Sequence, residues 1–536
     1  MDQGACCPYF DPDFESTLEN IAPPRYFNVT IRVCVDNDTW DDCTLVKVDS
    51  ANRHGILLEM VQVLADLDLF ISKSYIASDG GWVMDVFHVT DQLGNKLTDN
   101  SLIRFIQQSL DLEGHVGGGH GSCPAEVKTC LGNLVGAGHL NSDYTALEVT
   151  AADRPGLLSE VTAVLSQLEC DVDSCTAWTH NSRAACILYI TDRPSGHPIS
   201  DPARLVDVQL QIEGVVEAHH STGELRRVSI SGPSPNRIHT ERRLHQLMQE
   251  DRDYEAGPHP PPVESDQFSM AIAAAEARRW FGSGGANGNG TGWGPLGLAS
   301  SSSPVNSNYS KAIETQASIE EWKVRDYSVV NVRSRDRPKL FFDTVCTLTD
   351  LQYDIFHASV RSQGSLAVQE YYIRHANGST LDSDVERKRV IRCVVAAIER
   401  RVSQGVRVEM RTADRKGLLS DITRAFRENG LSLAMAKCGK QGEMAVGSFY
   451  VTDASSSGSG DLDLRRLEAV CDEIGGIFID RNGRCGGSKR GDCLTTGIFG
   501  SSSSHAEERV PRFSLGSLLW SHIERISSSF SSISRS

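Results

Sequence analysis

A chain of 536 residues, 40% hydrophobic and 23% charged, has room for several globular domains of ordinary composition. Its net charge of −17 argues against nonspecific nucleic-acid binding, which needs Lys and Arg to neutralise phosphates. Fifteen scattered cysteines without a CxxC pair indicate neither a disulfide framework nor a zinc ribbon, and fit free thiols in a reducing compartment.

Residues 1–38 read as an N-terminal extension. Met1 to Cys7 carry neither a basic region nor an apolar core, and acidic residues follow. No apolar run approaches the ~20 residues of a membrane span. The expected location is the cytosol, with the nucleus as a second compartment, and no stable membrane insertion is expected.

In the first unit, residues 39–118, the alternating strand Thr44–Val48 leads into Asn52-Arg53-His54-Gly55-Ile56-Leu57. The period then changes, with Leu57, Met60, Val61 and Leu64 at helical spacing. Two strand-like runs, Leu69–Ile76 and Trp82–Val89, flank the turn Asp79-Gly80-Gly81, and a helix is predicted from Asn100 to Leu110. In and just before the connector, residues 119–142, His115, His120, Cys123 and Cys130 lie close together but match no standard zinc spacing.

The second unit, residues 143–225, repeats the plan: strand Ala146–Thr150, phrase Asp153-Arg154-Pro155-Gly156-Leu157-Leu158, a hairpin ending at Tyr189–Asp192, and a helix from Pro202 to Ile212. A tether follows, residues 226–322. Glu241 to Met248 reads as helix, whereas Phe281 to Ser303, rich in Gly, Asn and Ser, is expected to be flexible. Gly292 to Gly297 spells GxGxxG, but without a preceding strand it is not a dinucleotide site.

The third unit, residues 323–403, carries strand Ser328–Val332, the phrase Asp336-Arg337-Pro338-Lys339-Leu340-Phe341, and a helix from Asp384 to Arg401. The fourth, residues 404–490, carries Val406–Met410, Asp414-Arg415-Lys416-Gly417-Leu418-Leu419 and a helix from Leu464 to Ile474. The basic clusters Arg387 to Arg389 and Arg400-Arg401 read as wet helix faces. In the tail, residues 491–536, apolar residues from Phe513 to Phe530 at near-helical spacing form an amphipathic stretch better suited to protein than to membrane docking.

Four copies of strand, phrase, helix, hairpin, helix and strand give an α+β fold of four ferredoxin-like β-α-β-β-α-β units. Their spacing reads as two tandem pairs, first with second and third with fourth.

The phrase sits where a strand turns into a helix, so the first N–H groups of that helix lack intrahelical acceptors. With the positive end of the helix dipole they form a seat for a carboxylate. Gly55, Gly156 and Gly417 allow close approach, and Asp153 or Asp414 is placed to accept an ammonium group. The same Asp also fits a plain N-cap, and the same Gly a plain turn. Asn52 and His54 replace Asp and Pro in the first phrase, removing a fixed charge. Lys339 stands at the tight point of the third, which is expected to be degraded as a seat.

The strand, Asp-Arg-Pro-Gly-Leu-Leu, helix and hairpin closing in Val-Thr-Asp resemble the ACT domain, a regulatory module associated with amino-acid binding. Four copies without a recognisable catalytic domain, together with Val48–Glu59, Ser78–Trp82 and Arg242–Met248, resemble the plant ACT-domain-repeat (ACR) proteins. The units are also similar to the C-terminal sensor region of bacterial uridylyltransferases. The resemblance implies ligand seats at interfaces between paired units, at Asn52, His54, Gly55, Ile56 and Leu57; at Asp153, Pro155, Gly156, Leu157 and Leu158; and at Asp414, Gly417, Leu418 and Leu419. The sequence ranks these seats second unit, first unit, fourth unit.

No HExxH, GxSxG, P-loop or kinase signature occurs. The expected function is a non-enzymatic amino-acid sensor needing no cofactor or metal; the alternative is a ligand-free interaction scaffold. Expected partners are a small-molecule amino acid and a receiving protein, with self-association into a homo-oligomer left open.

Overall fold

The computed structural model describes residues 32–79, 81–110, 126–130, 134–136, 144–218, 225–233, 239–255, 313–322, 326–400, 405–454 and 462–479. The histidines at 115 and 120, Cys123, the GxGxxG letters and the amphipathic tail lie outside them.

In chain order the described elements are β1 (Arg32–Asp36), β2 (Thr44–Ala51), α1 (Ile56–Asp66), β3 (Phe70–Asp79), β4 (Trp82–Thr90), α2 (Asn100–Leu110), and the short β5 (Val127–Lys128) and β6 (Leu134–Val135). The second unit supplies β7 (Thr145–Ala152), α3 (Leu157–Gln167), β8 (Cys170–His180), β9 (Arg183–Asp192), α4 (Pro202–Glu217) and β10 (Arg227–Ser231), followed by α5 (Thr240–Glu250). The third has β11 (Gln316–Trp322), β12 (Tyr327–Arg335), α6 (Leu340–Asp350), β13 (Tyr353–Gln363), β14 (Leu366–His375) and α7 (Asp384–Glu399). The fourth has β15 (Val406–Ala413), α8 (Leu418–Glu428), β16 (Leu431–Gln441), β17 (Met444–Asp453), α9 (Leu464–Ile474) and β18 (Ile477–Ile479).

Alternating β-branched strands followed by one apolar helix stripe account for each unit. In α1, Met60, Val61 and Leu64 are fully buried on the sheet, each contributing about 1.5–3 kcal/mol by leaving water. Each phrase helix then stops at a residue in the left-handed conformation: Asp68, Glu169, Gln352 and Gly430.

The second and fourth units follow the expected strand order, with β10 beside β7 and β18 beside β15. In the first and third units that place is taken from the N-terminal side, by β1 beside β2 and β11 beside β12. Both solutions are antiparallel, so the ladder is satisfied whichever end of the unit supplies the strand.

The tandem pairing is corrected by the sheets. One eight-stranded sheet runs β1-β2-β4-β3-β13-β14-β12-β11 and the other β10-β7-β9-β8-β16-β17-β15-β18. The first unit therefore pairs with the third and the second with the fourth, through antiparallel seams of β3 with β13 and β8 with β16. At the seam centres Tyr75 faces Ser359 and Thr176 faces Lys437. Each of these residues lies 23 positions after the first residue of its phrase, so the seams are pseudo-twofold. Edge strands pair by complementary N–H and C=O rows, and loop-closure cost grows only logarithmically with separation, so chain neighbours hold little advantage.

Helix α5 joins the two halves. β9 contains the apolar run Ala184 to Ile190, whose outward residues Ala185, Ile187 and Tyr189 are as buried as its inward ones, the mark of a strand covered on both faces. Leu244, Leu247 and Met248 of α5 cover it, with Cys393, Ala396 and Ala397 of α7 in the same cluster. Polar contacts from α5 and its N-cap reach all four units: His239 to Asp66 (2.8 Å), Arg243 to Glu148 (2.8 Å), Arg242 to Asp350 (2.7 Å) and Glu241 to Lys437 (3.2 Å).

At the centre of this junction the Tyr254 hydroxyl lies 2.9 Å from His245 Nδ1, and His245 Nε2 lies 3.0 Å from Asp343. Arg400 also donates to Asp343 at 2.9 Å and places its guanidinium 3.2 Å above the Trp178 ring. Arg400 is thus buried, 6% exposed, which corrects its reading as part of a wet helix face; a guanidinium is tolerated there because a carboxylate and an aromatic face replace water.

Candidate functional site

The helix-capping residue of each phrase is left-handed: Gly55 (φ 81°), Gly156 (φ 89°), Lys339 (φ 61°) and Gly417 (φ 71°). This residue, three places after the Asp or Asn that opens the phrase, is the N-cap and makes no side-chain cap bond, so the Asp residues do not hold the N-cap position. Position one of the phrase instead docks its backbone N–H on the hairpin turn: Asn52 on Gly81, Asp153 on Ser182, Asp336 on Ser365 and Asp414 on Glu443. Glycine suits the next requirement, a positive φ without steric cost.

The phrase arginine is a brace. Arg53 pairs with Glu59, Arg154 with Glu160, Arg337 with Asp343 and Arg415 with Asp421, always six residues on in the first helical turn. Each arginine neutralises an acid that would otherwise oppose an anion at the helix start.

Each phrase borders a cavity at its seam. The fourth, lined by residues from Asp414 to Ser420 and by Ser166, Cys170 and Asp173 of the second unit, is about 250 Å³. The first is about 110 Å³, the second about 40 Å³ and the third about 20 Å³. This order places the fourth ahead of the second.

One position on the partner's helix explains most of the order. Thirteen residues after each phrase begins stand Ala65, Ser166, Thr349 and Arg427, and each borders the partner unit's cavity. Across from Gly417 is the small Ser166, and across from Gly55 is Thr349. Across from Gly156 is Arg427, whose Cδ would lie 2.7 Å from a Cβ added at that glycine, so its stem fills the second cavity. In the third, Ala65 leaves room, but Lys339 is engaged elsewhere: its ammonium reaches the buried Glu241 of α5 at 2.8 Å. Together with Arg337, held on Asp343, it makes the third phrase part of the α5 junction.

The remaining predicted residues divide between wall and rim. Ile56, Leu57, Leu157 and Leu418 are buried. Leu158 and Leu419 interlock at the seam, each packing against the cores of both the second and fourth units. Asn52, His54 and Pro155 are exposed, with His54 Nδ1 2.5 Å from Asp354 of the third unit. Burial pushes the Asp153 carboxyl up to about 6, against a lowering hydrogen bond from the Arg154 backbone. Asp414 already holds a resident ammonium: Lys440 lies 3.3 Å from it and 2.6 Å from Asp173 across the seam.

Sequence reasoning missed Asp85 of β4. It is fully buried, lines the first cavity, and neither carboxylate oxygen makes a well-formed hydrogen bond. The signal was available, since Asp85 interrupts an inward-facing row of Val83, Phe87 and Val89. Among the described residues no group of His, Cys, Asp and Glu is arranged to hold a metal, and no helix is long and apolar enough to cross a membrane.

A family model described as the ACR family N-terminal ACT domain matches residues 39–116. ACT domain-containing protein ACR1 of Arabidopsis thaliana is 44% identical over 98% of this chain and 98% of its own, and ACR3 of the same plant is 43% identical over 88% and 90%. A bifunctional uridylyltransferase/uridylyl-removing enzyme of Azospirillum brasilense is 34% identical over 86 residues, 16% of this chain and 9% of that protein.

Proposed function

The chain belongs to the ACR family of ACT-domain proteins, and from that premise we propose that it is a non-enzymatic regulatory protein that binds amino acids at the seams between paired units. The observation that carries this reading is the coincidence, in the fourth and first units, of a helix start whose N-cap is a left-handed glycine with no capping side chain and an open cavity walled by a second unit. A ligand carboxylate rests on the helix N–H groups and its ammonium on a carboxylate nearby. Because each cavity has walls from two units, the ligand bridges them and binds best when the seam is closed, which is the differential affinity a sensor requires.

A thermal-shift screen of the purified full chain against the common amino acids tests this. A ligand present at 100 times its Kd adds about 2.7 kcal/mol to the native state. A rise in melting temperature with one or a few amino acids, lost when Gly417 and Gly55 are both changed to Val, supports the reading. No shift with any of them favours the ligand-free scaffold.

A further inference from the structure

Resting on the amino-acid reading above, we propose that the cavity of the first unit is specific for a small zwitterionic amino acid, held with its ammonium on Asp85 and its carboxylate at the start of α1. Asp85 faces Val48 across the β2–β4 ladder. The residues facing the equivalent first-strand positions in the other units are Cys186, Gln369 and Gly447, opposite Val149, Val332 and Met410. Only the first unit puts an ionisable carboxyl there, and it is the same unit whose phrase has lost its acid to Asn52. The charge missing from the rim is present inside the cavity.

A fully buried carboxyl with no well-formed hydrogen bond to either oxygen carries a large desolvation cost, which a bound cation offsets. Burial pushes its pKa up to about 8, opposed by the Ala77 backbone N–H, which approaches it without completing a well-formed hydrogen bond. At neutral pH it therefore holds a proton, which passes to solvent when an ammonium takes its place. The charged and titratable groups that share this cavity are Arg53 and His54 from the phrase and Tyr353 and Asp354 from β13. Arg53 is engaged by Glu59, and His54 lies against Asp354. At about 110 Å³ the cavity has less than half the volume of the fourth, about 250 Å³, which favours glycine, alanine or serine over a long side chain.

The test is isothermal titration of the full chain with glycine, L-alanine and L-serine, using propionate as the analogue lacking the ammonium, in buffers of different ionisation heat. Wild type is expected to bind at least one of the three with proton release and to ignore propionate at this site. Asp85→Asn, which preserves shape, is expected to weaken that site about tenfold or more and to abolish its proton release; Gly55→Val is expected to remove the same site from its other end. Amino-acid binding by wild type that Asp85→Asn leaves unchanged in stoichiometry, affinity and proton release overturns the assignment of Asp85 while the proposed function stands. No binding of glycine, L-alanine or L-serine to wild type overturns this proposal, and no response to any amino acid in the thermal-shift screen overturns both.

Discussion

Thr162 and Thr423 meet hydroxyl to hydroxyl at 2.9 Å where α3 crosses α8. They are copies of one another, each nine residues after the start of its phrase and each within 2.9 Å of the carbonyl one turn back. The copies of the same position in the other pair are Val61 and Val345, both fully buried. One architectural position is thus filled by a polar pair in one seam and an apolar pair in the other.

Thr162→Val alone removes one hydroxyl of a buried pair, leaving Thr423 only its own helix carbonyls, Leu419 and Ser420, and is expected to cost about 1 kcal/mol. Adding Thr423→Val recreates the apolar solution of the sister seam and is expected to recover most of that loss. A double-mutant cycle by urea unfolding measures the coupling; strict additivity would refute it.

Arg427→Ser is expected to open the second cavity to the form of the fourth and to add a binding site for an amino acid that the fourth already takes. Ser166→Arg is expected to close the fourth. The stoichiometry of titration counts the sites in each case.

The raised pKa of Asp85 has a definite sign for stability. Between the unfolded carboxyl pKa near 4 and the folded value of about 8, the native state binds a proton that the unfolded state has lost. Stability is therefore highest below that window and falls across it as pH rises, by at most about 1.4 kcal/mol per unit. Asp85→Asn is expected to remove this component, so that the variant overtakes wild type in melting temperature between pH 5 and pH 8.5, by a margin that widens with pH.

Asp343→Ala leaves Arg400 buried opposite His245 and Trp178 without its carboxylate. A loss of about 3–5 kcal/mol is expected, with both sheets affected because the site lies between them. Near-UV circular dichroism, which senses Trp178, and urea unfolding report it.

The four units were legible because hydrophobic period switches from two to 3.6 at each phrase, and because the phrase has one function in every copy: its arginine must reach the acid six residues on. The choice of partner was not. β3 and β8 present similar edges, and nothing in a strand's own pattern names the strand that will lie beside it. The cavities inherited that ambiguity, since whether Gly156 faces open space depends on Arg427, a residue 271 positions away. Lys339 was legible as an unsuitable seat, but its partner Glu241 became visible only once α5 was placed against the third unit.

Pairing the first unit with the third also sets a clock on synthesis. Ala77 must find His357, 280 residues later in the chain, and at about 5–20 residues per second the ribosome takes roughly 14–56 s to deliver it. Throughout that interval β3 waits as an unpaired edge, and β8 waits similarly for β16. The newborn chain is exposed to mispairing with its neighbours on a polysome, so the seam that makes the cavities also makes folding depend on the wait.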